Sequence, residues 1–172
     1  VNYVLIISTN AGLWGYNIGD TVQFTSTSPY RVIVSGRVKH YISAFGEHVI
    51  GKEVEEALKE AMAGTNIRVN EFTVAPQITP KEGLPYHEWF IEFENQPDNL
   101  EHFAEAIDDA MRKQNVYYDD LIVGKVLRKL VVTKVSKNGF QEYMKSIGKL
   151  GGQNKIPRLS NDRKIVDELE KR

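Results

Sequence analysis

The sequence lacks cysteine, long apolar runs and any substantial net charge. Without cysteine it can form no disulfide, thiol nucleophile or cysteine-based zinc site, and its composition suits a reducing compartment such as the cytoplasm. No stretch approaches the roughly eighteen consecutive apolar residues of a membrane-spanning helix. A net charge of -1 gives no basic surface for nucleic acid and no general attraction to anionic lipid. We therefore expect a soluble, cytoplasmic protein that binds neither nucleic acid nor a membrane.

Histidine is also scarce, with four copies scattered along the chain. No two of them stand at the spacing of metal ligands with a third ligand nearby. His48 directly follows Glu47 and is the histidine with the most suggestive neighbour, although two exposed polar residues explain this pair better. The sequence therefore predicts no metal site.

Strand-forming residues and tight turns fill the first third of the chain. Apolar and β-branched runs predict strands at residues 3–7, 20–25 and 30–34. The later part predicts a strand at 41–45, a helix at 50–63, strands at 68–75 and 88–94, a helix capped by Asp98 or Asn99, a strand at 130–135 and a helix at 139–150. This order, β-α-β-β-α-β plus a terminal helix, is that of a ferredoxin-like α+β sandwich.

The length and pattern of the chain predict its domain organisation. A chain of 172 residues suits one ordinary domain, or one domain with a fragment of another. The first residue is Val1 rather than methionine, and a strand is already predicted from Tyr3, so we expect the chain to begin inside a longer protein. The pattern changes after residue 37, which predicts a β-strand segment at residues 1–37 and an α+β domain at residues 38–172.

Three positions carry groups suited to a nucleotide or another polyol phosphate. Asp20 follows Gly19 in a turn, where a carboxylate can accept hydrogen bonds from the vicinal hydroxyls of a ribose, although a simple turn explains these residues too. Arg37 follows Gly36, and its planar, charged guanidinium suits phosphate and ribose oxygens, although an isolated arginine is often only a surface residue. Lys155 lies in a Gly- and Pro-containing segment and could bring a positive charge to a carboxylate or phosphate.

Read in order, these segments resemble the C-terminal part of adenylate-forming enzymes. That superfamily has a Tyr-x-x-Gly-Asp turn, a Gly-Arg-x-Asp/Lys segment and a Gly-x-x-Ile/Val stretch followed by Glu-Val-Glu, which residues 16–20, 36–39 and 46–55 match. Within it, the sequence most resembles the auxin-responsive (Gretchen Hagen) acyl-acid amido synthetases and their bacterial relatives. Their turn Gly-Leu-Tyr-Arg-Tyr-Arg-x-Gly-Asp is similar to residues 12–20, and their Gln-Tyr/Phe-Lys-x-Pro-Arg segment is similar to residues 153–158.

The resemblance implies a reaction and a division of the protein. Residues 1–37 would end a large adenylation domain and lead into a hinge, and residues 38–172 would form a ferredoxin-like lid domain. With its N-terminal adenylation domain, the parent protein would use ATP and Mg²⁺ to activate a small carboxylic acid as acyl-AMP, and would pass the acyl group to the amine of an amino acid. The isolated chain would be inactive, with no ATP, AMP or metal expected to be bound to it.

The resemblance also implies roles for individual residues. The implied nucleotide contacts are Tyr16, Asp20 and Arg37, the implied hinge is Lys39, and the implied catalytic cation is Lys155. Because the transition state of adenylation is negatively charged, a lysine close to the α-phosphate would stabilise it. The resemblance implies no metal ligand in this chain.

Two other functions remain open at this stage. A free-standing ferredoxin-like regulatory or interaction module would have the same order of elements, but it gives no reason for the Gly-Asp, Gly-Arg and Lys-x-Pro-Arg segments. The lid of a ligase that transfers its acyl group to coenzyme A would share every motif. Two departures from the family pattern, Asn17 in place of an arginine and Asn154 in place of an aromatic residue, leave the acid unidentified.

Overall fold

The computed structural model describes residues 2–37, 41–151 and 154–171. Its first part is an antiparallel sheet in which β2 lies between β1 and β3. The strands are β1 (Asn2–Ile7), β2 (Tyr16–Thr27) and β3 (Tyr30–Arg37). Their β-branched and aromatic residues favour extended backbone, and the three predicted strands are confirmed. The turn expected at residues 16–20 was wrong, because these residues pair with β1 and β3 as part of β2.

The second part begins with a short hairpin and a helix, followed by a sheet of three strands. Its elements are β4 (Tyr41–Ile42), β5 (Val49–Ile50), α1 (Gly51–Met62), β6 (Arg68–Gln77), β7 (Tyr86–Asn95), α2 (Leu100–Gln114), α3 (Val116–Val123), β8 (Val131–Val135), α4 (Gly139–Ser146) and α5 (Lys164–Leu169). The middle strand β7 pairs antiparallel with β6 and parallel with β8. No helix in the described ranges has both the length and the apolar character needed to cross a bilayer.

The β6–β8 sheet carries an apolar layer on each face, because successive side chains of a strand point to opposite sides. On β7, Trp89 and Ile91 belong to one layer, whereas Phe90 between them belongs to the other. The first layer packs against α1 and α2, and its buried members include Val54, Leu58, Phe72, Phe103, Ile107 and Met111. The second packs against α4 and α5, through Phe140, Met144, Val166 and Leu169. The sheet is therefore enclosed between two groups of helices.

Local sequence signals explain where the first two helices lie. Asn99 caps α2, because its Oδ1 accepts a hydrogen bond from the amide of His102 at 2.9 Å. Val54 and Leu58 lie one helical turn apart on the buried side of α1, as the apolar spacing predicts. Gly64 follows α1 with a φ of 73°, a conformation that glycine adopts without strain.

The predicted α+β class is confirmed, whereas the ferredoxin-like arrangement is not. Among the described residues the main sheet has three strands, because the strand predicted at 41–45 is reduced to β4 and pairs with β5 instead. The turn between β4 and β5 gives the physical reason. Gly46 and His48 have positive φ angles of 94° and 49° that reverse the chain, and buried Glu47 accepts a hydrogen bond from the amide of Phe45 at 2.8 Å.

A buried polar pair joins this turn to the main sheet. Glu47 Oε1 and His87 Nε2 are 2.8 Å apart, and both side chains are almost fully buried. Asn115, between α2 and α3, donates to the backbone oxygen of Glu47 and to Oε2 of Glu53, both at 3.1 Å. Burial alone raises the pKa of Glu47, but the hydrogen bond and charge interaction with His87, helped by the Phe45 amide, lower this pKa below its usual 4.5.

We expect Glu47 to make folding stability depend on pH in the acid range. Because its pKa is lower in the folded chain, its contribution is complete above pH 4.5 and is lost as the pH falls through the folded pKa. Glu53 acts in the opposite sense, because burial raises its pKa, so the test compares a variant with the wild type. In Glu47→Gln, the free energy of unfolding measured with urea should fall less steeply between about pH 5 and pH 3, since glutamine does not titrate. Equal slopes would contradict this role.

Candidate functional site

A cleft of about 660 Å³ lies between the end of β3 and the second part of the chain. Its lining comes from β3 (Val34, Ser35, Gly36), α1 (Gly51, Lys52, Glu55), β6 (Glu71) and the segment Lys155, Ile156, Pro157 and Arg158. Cationic and anionic side chains both face it. The predicted cation Lys155 and Gly36, the neighbour of the predicted ribose contact Arg37, line the same cleft.

The pairing of β2 with β3 places Asp20 and Arg37 opposite each other. Paired residues of an antiparallel sheet have Cα atoms about 4.5–5.5 Å apart, so the two side chains begin at neighbouring points. Asp20 is partly buried, whereas the side chain of Arg37 and all of Lys39 lie outside the described part of the chain. Tyr16 lies at the start of β2, exposed and opposite Ile7. The structure thus brings Asp20 and Arg37 together and leaves Tyr16 outside the cleft lining.

The segment that carries Lys155 is held along the free edge of β6. The amide of Val74 donates to the Arg158 oxygen at 2.9 Å, and the amide of Ser160 donates back to the Val74 oxygen at 3.0 Å. The hydroxyl of Thr73 donates to the Pro157 oxygen at 2.8 Å. Pro157 suits an edge segment because it has no amide hydrogen to donate. These bonds fix the backbone beside Lys155, while the side chain of Lys155 stays exposed in the cleft.

Arg158 links this segment to the core and to the carboxylates of the cleft. Its guanidinium lies 4.6 Å from the ring centroid of Phe72 and donates to the Phe72 oxygen at 3.2 Å. It also donates to the carboxylate of Glu71, and to Glu55 Oε1 at 3.3 Å. No described carboxylate lies within ion-pair distance of Lys155. Its charge is therefore available to a ligand, whereas that of Arg158 is shared with protein carboxylates.

Some residues of the cleft had no predicted role. Arg158 was part of the matched Lys-x-Pro-Arg segment, but its contact with Glu71 depends on the pairing of distant segments. Glu55 stands on the charged side of α1, where a sequence pattern indicates only exposure to solvent. Within the described ranges, no group of three or more histidine, aspartate or glutamate residues is placed to hold a metal ion.

Comparisons with known proteins identify the family. The model of the GH3 family C-terminal domain matches residues 52–164, and that of the GH3 family central domain matches residues 1–37. No curated protein sequence matches the chain. One solved structure, described as GH3.15 acyl acid amido synthetase, has a TM-score of 0.76 and 18% identity over 99% of this chain and 33% of its own. Another, AtGH3.15 acyl acid amido synthetase in complex with 2,4-DB, has a TM-score of 0.74 and 18% identity over 99% of this chain and 32% of its own.

The two kinds of match support different statements. At 18% identity the solved structures show a shared fold, and the chain spans about a third of their length. The match to the C-terminal domain model covers more than half of the chain and shows descent. The family expected from the motifs is thereby confirmed: this chain belongs to the GH3 family, with C-terminal domain sequence at residues 52–164 and central domain sequence at residues 1–37.

Proposed function

We propose that the chain is the C-terminal lid portion of an ATP-dependent ligase that activates a carboxylic acid as acyl-AMP and transfers it to the amine of an amino acid. The observation that carries this proposal is one cleft lined both by the end of β3, beside the Asp20–Arg37 pair, and by Lys155. Family membership supports it, since the similar structures are described as acyl acid amido synthetases. The boundary between the adenylation domain and the lid would follow residue 37, in the cytoplasmic parent protein.

The Asp20–Arg37 pair would hold the ribose of the nucleotide. A carboxylate can accept hydrogen bonds from both vicinal hydroxyls, and a guanidinium can donate to ribose or phosphate oxygens. Tyr16 would contact the nucleotide from the start of β2, and Lys39 would mark the hinge about which the lid turns. Mg²⁺ would accompany ATP on the side of the site formed by the rest of the parent protein.

Lys155 would act on the charge that develops during adenylation. An oxygen of the acid attacks the α-phosphorus and the bond to pyrophosphate breaks, so negative charge moves from the carboxylate to the α-phosphoryl oxygens and the leaving pyrophosphate. An ammonium group held nearby stabilises this charge. In the second step the amine nitrogen attacks the acyl carbon, AMP leaves with the electrons of the broken C–O bond, and the nitrogen loses a proton.

The first sheet supports the expected partner. Strands β1–β3 and their connections expose many large apolar side chains, including Tyr3, Ile6, Leu13, Trp14, Tyr30 and Val34. Trp14 is 90% exposed, and an apolar surface of this extent normally contacts another protein surface. We assign that surface to the N-terminal adenylation domain of the same protein, because this chain covers 33% of the similar structure and the rest of that structure has no counterpart here.

We expect the isolated chain to have no ligase activity. Its cleft offers only part of a nucleotide site. Binding would therefore lose the conformational freedom of the ligand without gaining most of the contacts that offset this loss. ATP mixed with the chain, Mg²⁺, a panel of carboxylic acids and amino acids should yield no AMP in a chromatographic assay. The prediction would be overturned if the purified chain released AMP and a Lys155→Ala chain purified in the same way did not.

The reaction itself is tested with the parent protein. Incubation with ATP, Mg²⁺ and panels of carboxylic acids and amino acids should give AMP, pyrophosphate and an acyl amide, identified by mass spectrometry. Coenzyme A is supplied in a parallel reaction. A thioester formed in place of the amide would support the ligase but replace the proposed acceptor, and an absence of both products would contradict the proposed function.

A further inference from the structure

A second cavity, of about 460 Å³, adjoins the cleft and is lined by groups that the proposed adenylation does not use. Lys155, Ile156 and Glu71 line both spaces, so the two meet at the proposed catalytic lysine. The cavity lies between the α4 face of the sheet and the segment that follows α4. Glu92 of β7 lies in its wall and is only 5% exposed.

Among the described residues, the hydrogen-bond donors to Glu92 all reach the same one of its two oxygens. The amide of Asn138 donates to Oε1 at 3.0 Å, and the side chain of Asn70 donates to the same oxygen at 3.4 Å. No described residue donates to Oε2, and none forms an ion pair with this carboxylate. Oε2 is not among the buried atoms without a partner, so it is open to the cavity and can accept a hydrogen bond from a ligand there.

Two neighbouring glutamates show how unusual this arrangement is. Glu88, on the same face of β7, pairs with Arg163 Nη1 at 2.9 Å and also accepts a hydrogen bond from Thr133. Glu71 lies directly opposite Glu92 in the β6–β7 register and pairs with Arg158. Both of these glutamates thus have an arginine partner, whereas Glu92 has no cationic partner among the described residues.

We propose that this cavity binds the acceptor amino acid, with Oε2 of Glu92 accepting a hydrogen bond from its ammonium group. The other lining residues match the rest of a zwitterion. Lys149 offers a positive charge for the carboxylate, while Phe140 and Met144 offer apolar surface for a side chain. The cavity meets the cleft at Lys155, where the acyl adenylate would form. The assignment rests on the proposed transfer to an amine.

Binding to the 172-residue chain tests the assignment without any ligase chemistry. The probe is L-methionine, and its α-hydroxy analogue, which has no amine, is the matched ligand. Titrations followed by ¹⁵N–¹H NMR should show saturable shifts around Glu92 and Met144 for L-methionine. The hydroxy analogue should bind at least about tenfold more weakly, since one charge-assisted hydrogen bond is lost. Equal binding of both compounds, or no binding of either, would overturn the proposal.

Two glutamate variants give the second arm of the test. Glu92→Gln should weaken L-methionine binding about tenfold, whereas Glu94→Gln, on the same strand but exposed and outside the cavity, should leave it unchanged. MgCl₂ alone should not reproduce the shifts, and if it did, the site would be a cation site instead. In the parent protein, Glu92→Gln should raise the KM for the amine and leave acid-dependent ATP–pyrophosphate exchange unchanged. Lost exchange in that variant would overturn the assignment, whereas a parent without any exchange would refute only the proposed ligase.

Discussion

Replacing Lys155 with alanine is expected to lower the rate of adenylation by the parent protein about 10²–10³-fold, the usual cost of removing one preorganised stabilising group. The reason is the placement of its ammonium group, in the cleft beside β3 and without a described ion pair. The loss should appear in kcat for acid-dependent adenylation rather than in the KM for ATP, because the charge develops in the transition state. Rapid-quench measurement of acyl-AMP formation in a single turnover gives this rate directly.

A matched lysine shows whether the effect belongs to this position. Lys145 lies in the last turn of α4, exposed and outside both cavities, so Lys145→Ala should keep the wild-type rate. Both variants should unfold at the same temperature as the wild type, since both side chains are exposed. A Lys155→Ala protein that adenylates as fast as the Lys145→Ala protein would remove Lys155 from the mechanism.

Replacing Trp89 with alanine is expected to lower the free energy of unfolding by about 3–5 kcal/mol, a large part of the stability of a domain. Trp89 is 1% exposed in the middle strand β7, and its ring stacks on Phe72 with centroids 5.6 Å apart and planes 8° apart. The guanidinium of Arg158, three residues from Lys155, packs against the ring of Phe72. The cavity left by the indole should therefore loosen the segment that holds Lys155, as well as the core.

The chain contains a natural control for this prediction. Trp14 is 90% exposed, so Trp14→Ala should change the free energy of unfolding by less than about 0.5 kcal/mol in the isolated chain. Trp89→Phe retains a ring against Phe72 and should cost clearly less than Trp89→Ala. Urea unfolding followed by circular dichroism measures all three variants. Equal unfolding midpoints for Trp89→Ala and Trp14→Ala would show that the β6–β8 sheet does not depend on this stack.

Elements with a clear local signal were predictable from the sequence, and α3 shows why others were not. Apart from Leu121, its residues Val116–Val123 are aromatic, β-branched or acidic, without a helical spacing of apolar positions. Asn115 caps its first turn, since its Oδ1 accepts a hydrogen bond from the amide of Tyr118 at 2.9 Å. The buried hydroxyl of Tyr118 then donates to Asp108 at 2.7 Å. Contacts between separate elements, rather than propensity, decide this helix.

The candidate site also has features that the sequence predicts and features that it does not. The motifs around Asp20, Arg37 and Lys155 were visible because their residue types and order are unusual. Their arrangement was not, since it depends on strand register and on the pairing of Arg158 with Val74, far apart in sequence. Glu92 gave no sequence signal at all, because a glutamate that alternates with apolar residues in a strand indicates a solvent-facing position.

Acid-dependent exchange of labelled pyrophosphate into ATP, measured with the parent protein and without any amine, tests the central claim most directly. Exchange requires that an acyl adenylate and pyrophosphate form reversibly at one site. The proposed function predicts exchange that appears when a carboxylic acid substrate is added and that Lys155→Ala lowers about 10²–10³-fold. Formation of the amide together with ADP and phosphate, and without acid-dependent exchange, would contradict it.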